Sequence, residues 1–189
     1  DIAGTLGSYT FSGNLSANDL VTVGTNREYD VTLSGSSVNI ASNVNFTNNG
    51  VVTLGDGGSD SQVYGGGFTH NVNTTQLGGN IATTDDAVNL GAVTLLANTT
   101  INTAATTNAA DITLGDVTGD FNLGLTAGNV NGANVTVNSF ASTGNLTLGA
   151  AGAATFGNIN AGIVTISDAL NSVTFNGQLN ATTLSVAAG

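Results

Sequence analysis

The sequence predicts an all-β protein built as a parallel β-solenoid, in which the chain winds into stacked coils of short strands. Three observations carry this prediction. A short motif recurs along the chain, residues that favour turns separate its copies, and the 189 residues include no proline. Proline is costly almost everywhere in a solenoid, because nearly every strand residue pairs with the coils on both sides.

The recurring motif places Thr or Asn between two apolar residues. Examples are VTL at 31–33, VNF at 44–46, VTL at 52–54, VTV at 135–137 and VTF at 173–175. Such alternation puts the two apolar side chains on one face of a strand and the polar side chain on the other. The copies therefore predict strands of three or four residues with a buried and an exposed face.

The spacing of the central threonines predicts the length of a coil. In the C-terminal part these are Thr136, Thr147, Thr155, Thr165, Thr174 and Thr183, with successive separations of 11, 8, 10, 9 and 9 residues. The intervening segments, such as GAAG at 149–152 and SDALNS at 167–172, contain residues that adopt turns easily. Two separations make a coil of about 19–20 residues, and the chain would hold about nine coils.

A β-sandwich is the alternative, since it also has short strands separated by turn residues. The very short strands and the single Asn or Gly residues at the corners favour the solenoid. Helices are disfavoured because Thr, Val, Asn and Gly have low helix propensity and no segment has apolar residues at helical spacing.

Composition and charge exclude several classes of protein. The chain has 12 acidic residues and one basic residue, Arg27, for a net charge of −11. Nucleic-acid binding needs clustered Lys or Arg, and an anionic membrane surface would repel this chain. No apolar run approaches the roughly 20 residues of a membrane-spanning helix. The absence of cysteine excludes disulfides and thiolate metal sites.

Three stretches, 80–103, 111–126 and 145–189, resemble the repeat regions of large bacterial surface proteins of the filamentous-haemagglutinin and autotransporter-adhesin kind. The shared pattern appears in AVNLGAVTL at 87–95, DITLGDVTG at 111–119 and VTFNGQLNATTL at 173–184. The resemblance implies a right-handed parallel β-helix that is secreted, works on the cell surface in adhesion or as a structural fibre, and has no catalytic residues. We expect one solenoid segment over 1–189, less regular over 1–76 and regular over 77–189.

Few residues are candidates for catalysis. His70 is the only histidine, and we expect it at a plain surface or corner position because no Cys, Lys or second His accompanies it. Asp85 and Asp86 are adjacent, so on a strand they would face opposite ways rather than form a glycosidase pair. The sequence therefore predicts no enzyme and assigns no catalytic, cofactor-binding or metal-binding residue.

Calcium is the one ion that the sequence suggests. Asp56 and Asp60 lie in a Gly-rich segment, and Asp116 and Asp120 could share a corner, where hard oxygen ligands suit Ca²⁺. Solvated corner aspartates are the favoured interpretation. The seven N-x-S/T sequons are expected mostly by chance in a chain so rich in Asn and Thr; their asparagines are Asn14, Asn45, Asn73, Asn98, Asn134, Asn145 and Asn180.

Aromatic residues also inform the prediction. Tyr9, Tyr29 and Tyr64 fall in the first third of the chain with Arg27 and Glu28, which suggests a cap, a contact patch or a less regular coil there. A carbohydrate-binding module would be expected to present aromatic platforms, whereas the chain is 5% aromatic and lacks Trp.

The expected function is that of an extracellular building block of a surface fibre or adhesin stalk. The C-terminal sequence LNATTLSVAAG shows no charged cap, so we expect its coil to stack on another molecule or on further coils of a longer chain. A host-cell or matrix surface is a further expected partner. The alternatives are a pilin-like β-sandwich subunit that exchanges donor strands and a polysaccharide-active β-helix enzyme.

Overall fold

Eighteen strands, all paired in parallel, build the part of the chain described by the computed structural model, which covers residues 6–22, 27–103, 105–106 and 110–187. This part contains no helix, and hence none long and apolar enough to cross a membrane. Successive strands stack as coils, so the predicted β-solenoid is confirmed. The sandwich alternative is wrong, because it requires antiparallel hairpins.

Each coil contributes a strand to each of three parallel sheets, which we name A, B and C in the order in which the chain visits them. In sheet A, Tyr9, Val31 and Val52 lie in successive coils and pair in register. Those of sheet B include Val38 and Gln62. Sheet C follows, and then the chain returns to sheet A one coil further on.

Twelve strands belong to one sheet only. Sheet A has β1 (Leu6–Phe11), β3 (Glu28–Leu33) and β6 (Val52–Leu54). Sheet B has β2 (Leu15–Ala17), β4 (Ser37–Ile40), β7 (Ser61–Tyr64), β13 (Leu123–Thr126) and β15 (Leu146–Ala150). Sheet C has β5 (Val44–Asn45), β8 (Phe68–His70), β10 (Val88–Leu90) and β17 (Ser172–Phe175).

The other six strands bend around a corner and serve more than one sheet. Those that pass from A to B are β9 (Thr75–Thr83), β11 (Val93–Asn102) and β18 (Leu179–Val186). Those that pass from C to A are β12 (Ile112–Thr118) and β14 (Val135–Ala141), and β16 (Ala153–Ile166) contributes to all three sheets. Corners therefore add little chain, which keeps the coils short.

Coil length varies more than the threonine spacing indicated. One step of sheet A runs from Thr75 to Val93, which is 18 residues, and the next from Val93 to Val117, which is 24. The C-terminal step from Ile159 to Leu179 is 20 residues, as expected. The described part of the chain makes about eight turns rather than nine, and with parallel strands about 4.8 Å apart it spans roughly 40 Å.

Apolar side chains fill the space between the three sheets. Phe140, Leu148 and Phe156 are buried in the C-terminal coils, where the interior is almost entirely hydrocarbon. Coils nearer the N-terminus also bury polar side chains such as Asn48 and Gln62. Burial of stacked apolar side chains supplies most of the stability, because each fully buried Leu, Val or Phe contributes about 1.5–3 kcal/mol.

Candidate functional site

Asparagine side chains at the corner before sheet B join one coil to the next. The Asn98 Oδ1 accepts the backbone N–H of Asn122 at 3.0 Å, and the Asn122 Oδ1 accepts that of Asn145 at 2.8 Å. The Asn145 Oδ1 in turn accepts the N–H of Ile163 at 3.0 Å. We call these three asparagines the B-corner ladder. It pairs corner N–H groups that the sheets leave without a partner.

A similar arrangement lies at the corner before sheet C. The Asp111 Oδ1 accepts the N–H of Asn134 at 2.8 Å, and the Asn134 Oδ1 accepts that of Ala153 at 3.1 Å. The same position thus holds an aspartate in one coil and an asparagine in the next, since only the acceptor oxygen is needed. Polar corner residues here are parts of the scaffold.

Three of the four aspartates considered for calcium, Asp60, Asp116 and Asp120, accept hydrogen bonds within the scaffold. Asp60 is buried, and its Oδ2 accepts the backbone N–H groups of Asp56 at 3.0 Å and Gly57 at 2.9 Å, closing its own turn. The Asp120 Oδ1 lies 3.2 Å from the Thr143 Oγ1 of the next coil. Among the described residues no three His, Cys, Asp or Glu side chains come together as a metal site would need.

Asp116 bonds to two side chains of the next coil. Its Oδ1 accepts hydrogen bonds from the Ser139 Oγ and the Asn138 Nδ2, both at 2.7 Å. The Ser139 hydroxyl and, after it, the Asn138 amide lower the pKa of Asp116 below its ordinary value, because both bonds favour the charged carboxylate. Asp116 and Asp120 thus each bond forward to the next coil.

Asp85 and Asp86 lie at the corner between sheets B and C. The expectation that their side chains face opposite ways assumed a strand, and the two residues are not on one. Asp85 has a positive φ of 61°, and its Oδ1 accepts the N–H of Thr106 at 3.0 Å. Aspartate tolerates this left-handed conformation better than most residues. The pair therefore shapes a corner.

His70 lies in the interior, so the prediction of a surface or corner position is wrong. Its Nδ1 is 2.9 Å from the Thr75 Oγ1, and its ring packs edge-on against Phe46 at a centroid distance of 6.2 Å. Burial lowers the pKa of His70, and the nearby Asn48 carbonyl offsets part of that effect. The alternation in Phe68-Thr69-His70 would have predicted this placement, since Phe68 and His70 share a face.

Two of the three tyrosines are likewise core residues rather than a contact patch. Tyr29 and Tyr64 are fully buried, and Tyr9 packs edge-on against Tyr29 at 5.6 Å. The Tyr64 hydroxyl donates to the Gln62 Oε1 at 3.0 Å, and the Gln62 Nε2 donates to the Leu33 carbonyl at 3.1 Å. Burial raises the pKa of Tyr64, so its hydroxyl stays protonated.

The sequon asparagines are largely structural. The side chains of Asn14, Asn73, Asn98, Asn134, Asn145 and Asn180 hydrogen-bond to a neighbouring coil. Asn45, in contrast, is exposed on the outer face of sheet C. Bonded amides of this kind explain the abundance of Asn without any need for glycosylation.

Two grooves on the outer surface were not anticipated from the sequence. One, of about 420 Å³, lies on sheet A near the C-terminal end of the solenoid, and its polar lining consists of Ser139, Asn158, Asn160, Gln178 and Asn180. We call it the amide groove. The other, of about 350 Å³, lies on sheet B between Asn80 and Thr147. Finding them requires the coil register, because each is assembled from residues about 20 positions apart.

The last described coil presents its inward side to solvent. Leu184 and Val186 continue the inward rows of Val164 and Ile166, which are buried, but are themselves 47% and 64% exposed. Leu179, also exposed, follows the buried Ile159 in the same way. We call the surface formed by Leu179, Leu184 and Val186 the apolar end face.

No protein-family model, curated protein or solved structure matches the chain. The parallel pairing of the stacked coils establishes the fold as a repeating β-solenoid, and the resemblance to bacterial surface repeats remains a prediction from the sequence.

Proposed function

We propose that this chain is a non-catalytic structural and adhesive protein of the cell exterior, a building block of a surface fibre or adhesin stalk that extends by end-to-end β-stacking. The observation that carries the proposal is the apolar end face. Its side chains follow rows that are buried in the preceding coil, so a further coil in the same register would bury them as well.

Charge favours contact through the end face. No residue from 169 onward is charged, although the chain as a whole carries −11. Two copies that approach side by side bring acidic surfaces together, whereas contact through the end face places an uncharged surface in the interface. The charge distribution therefore favours growth along the axis of the solenoid.

The occupant that we propose for the end face is the first described coil of a second copy. That coil has apolar residues in the same three sheets: Tyr9 and Phe11 in sheet A, Leu15 in sheet B and Val21 next to the sheet C position. Phe11 and Val21 are exposed. A contact between two different ends is heterologous, and it propagates into a filament.

A variant of the end face tests the proposal. Leu184→Asp places a charge in the interface and is expected to abolish concentration-dependent filaments in negative-stain images and light scattering. Thr174→Asp, on the outer face of the last strand of sheet C, is the control and should assemble like the parent. A parent chain that stays monomeric at high concentration contradicts self-stacking and favours further coils of a longer chain as the occupant.

A further inference from the structure

The geometry points to the amide groove as a binding site for a neutral, polyhydroxylated ligand, an uncharged oligosaccharide. This inference goes beyond the structural role proposed above and does not depend on it. The groove volume of about 420 Å³ lies within the roughly 300–1,000 Å³ typical of small-molecule sites.

The groove exists because a small residue interrupts one of two neighbouring rows of outward polar side chains. One row contains Ser139 and Asn158, and the other contains Ala141, Asn160 and Asn180. The position of Ala141 is occupied by Thr118 one coil earlier and by Asn160 one coil later. The methyl group of Ala141 thus leaves space between larger polar neighbours.

The amide groups that line the groove are held in fixed orientations. The Asn158 Oδ1 accepts the backbone N–H of Gln178 at 3.0 Å, and the Asn160 Oδ1 accepts the Asn180 Nδ2 at 2.9 Å. Each oxygen is therefore used within the scaffold, while the Nδ2 donors of Asn158 and Asn160 have no partner among the described residues. Donors oriented in advance lose little side-chain entropy when a ligand binds.

The chemistry of the lining selects the class of ligand. Amide donors and acceptors match the hydroxyl groups of a sugar, and the Ser139 oxygen can accept a further bond although its hydrogen is donated to Asp116. No ionised side chain lines the groove. An anionic ligand would find no cation there and would be repelled by the net charge of −11. The Phe140 ring is buried, so recognition would rest on amides rather than on the aromatic platform expected of a carbohydrate-binding module.

Calorimetry and NMR titration with a panel of neutral oligosaccharides, built from glucose, galactose, mannose or N-acetylglucosamine, test the inference. We expect at least one member to bind and oligogalacturonate, an anionic control, to fail. Asn158→Asp and Asn160→Asp keep the acceptor oxygen that the fold uses but lose the Nδ2 donor, so each should weaken binding about tenfold. Ala141→Gln should block the groove.

Asn145→Asp is the matched control, because it makes the same chemical change in the B-corner ladder and should bind like the parent. Unchanged circular dichroism and urea midpoints would show that the groove variants remain folded. The inference is overturned if no neutral oligosaccharide binds up to millimolar concentrations. It is equally overturned if the groove variants bind as tightly as the parent chain.

Discussion

The B-corner ladder makes a quantitative prediction at Asn122. Replacing Asn122 by Ala removes the acceptor of the Asn145 N–H, a bond of 2.8 Å, while the Asn122 N–H can still bond to Asn98. A hydrogen bond of this kind contributes about 0.5–1.5 kcal/mol net, and a polar group left without a partner costs about 1–3 kcal/mol. Because Asn145 is only partly buried, water can reach its N–H, and the lower range applies.

We therefore expect Asn122→Ala to lower the free energy of unfolding by about 1 kcal/mol. In urea, with an m value of about 2–3 kcal/mol/M, the midpoint should fall by about 0.3–0.5 M. Asn122→Asp retains an oxygen at the Oδ1 position, as Asp111 does at the other corner, and should stay within a few tenths of a kcal/mol of the parent. The reasoning is refuted if the Ala and Asp variants have the same midpoint.

Two further predictions concern the interior. The pKa of His70 in the folded state is below its unfolded value of about 6.5, so the stability that it contributes is present above that pH and is lost as the pH falls below it. His70→Gln should therefore flatten the decline in urea midpoint between neutral pH and pH 5. The contribution of Asp116, in contrast, is lost only near and below its unfolded pKa of about 4. Phe156→Ala should cost about 3–5 kcal/mol, since Phe156 is fully buried, and Phe175→Ala, in the last strand of sheet C, clearly less, since Phe175 is only partly buried. Equal losses for Phe156 and Phe175, or a His70 variant with the pH profile of the parent, would contradict these expectations.

The sequence predicts the strands well because alternation is a local signal. In VTV at 135–137 and VTF at 173–175 the apolar residues face inward, as expected for a strand with one buried face. In the C-terminal coils the third strand was missed, because sheet A segments such as that around Phe140 do not repeat the threonine motif. The six C-terminal threonines used for the coil length therefore lie in sheets B and C alone, whereas the VTL segments at 31–33 and 52–54 belong to sheet A.

The polar sites were harder to predict, because they depend on register. Asn98 and the residue whose N–H it accepts, Asn122, are 24 residues apart, whereas Asn145 and the residue whose N–H it accepts, Ile163, are 18 apart. A coil that varies by six residues gives no fixed period from which such pairs can be inferred. The interior position of His70 could have been predicted from its two-residue spacing from Phe68, had polarity not been given more weight than alternation.

The winding of the chain has a mechanical consequence. Hydrogen bonds between coils run along the axis, while the covalent chain circles around it. Tension applied through the two chain termini would therefore unfold the coils one at a time, starting from an end. A coil of 18 residues or of 24 residues would release at most about 60–85 Å of extended chain. The molecule would thus lengthen in discrete steps under load and leave the remaining coils intact.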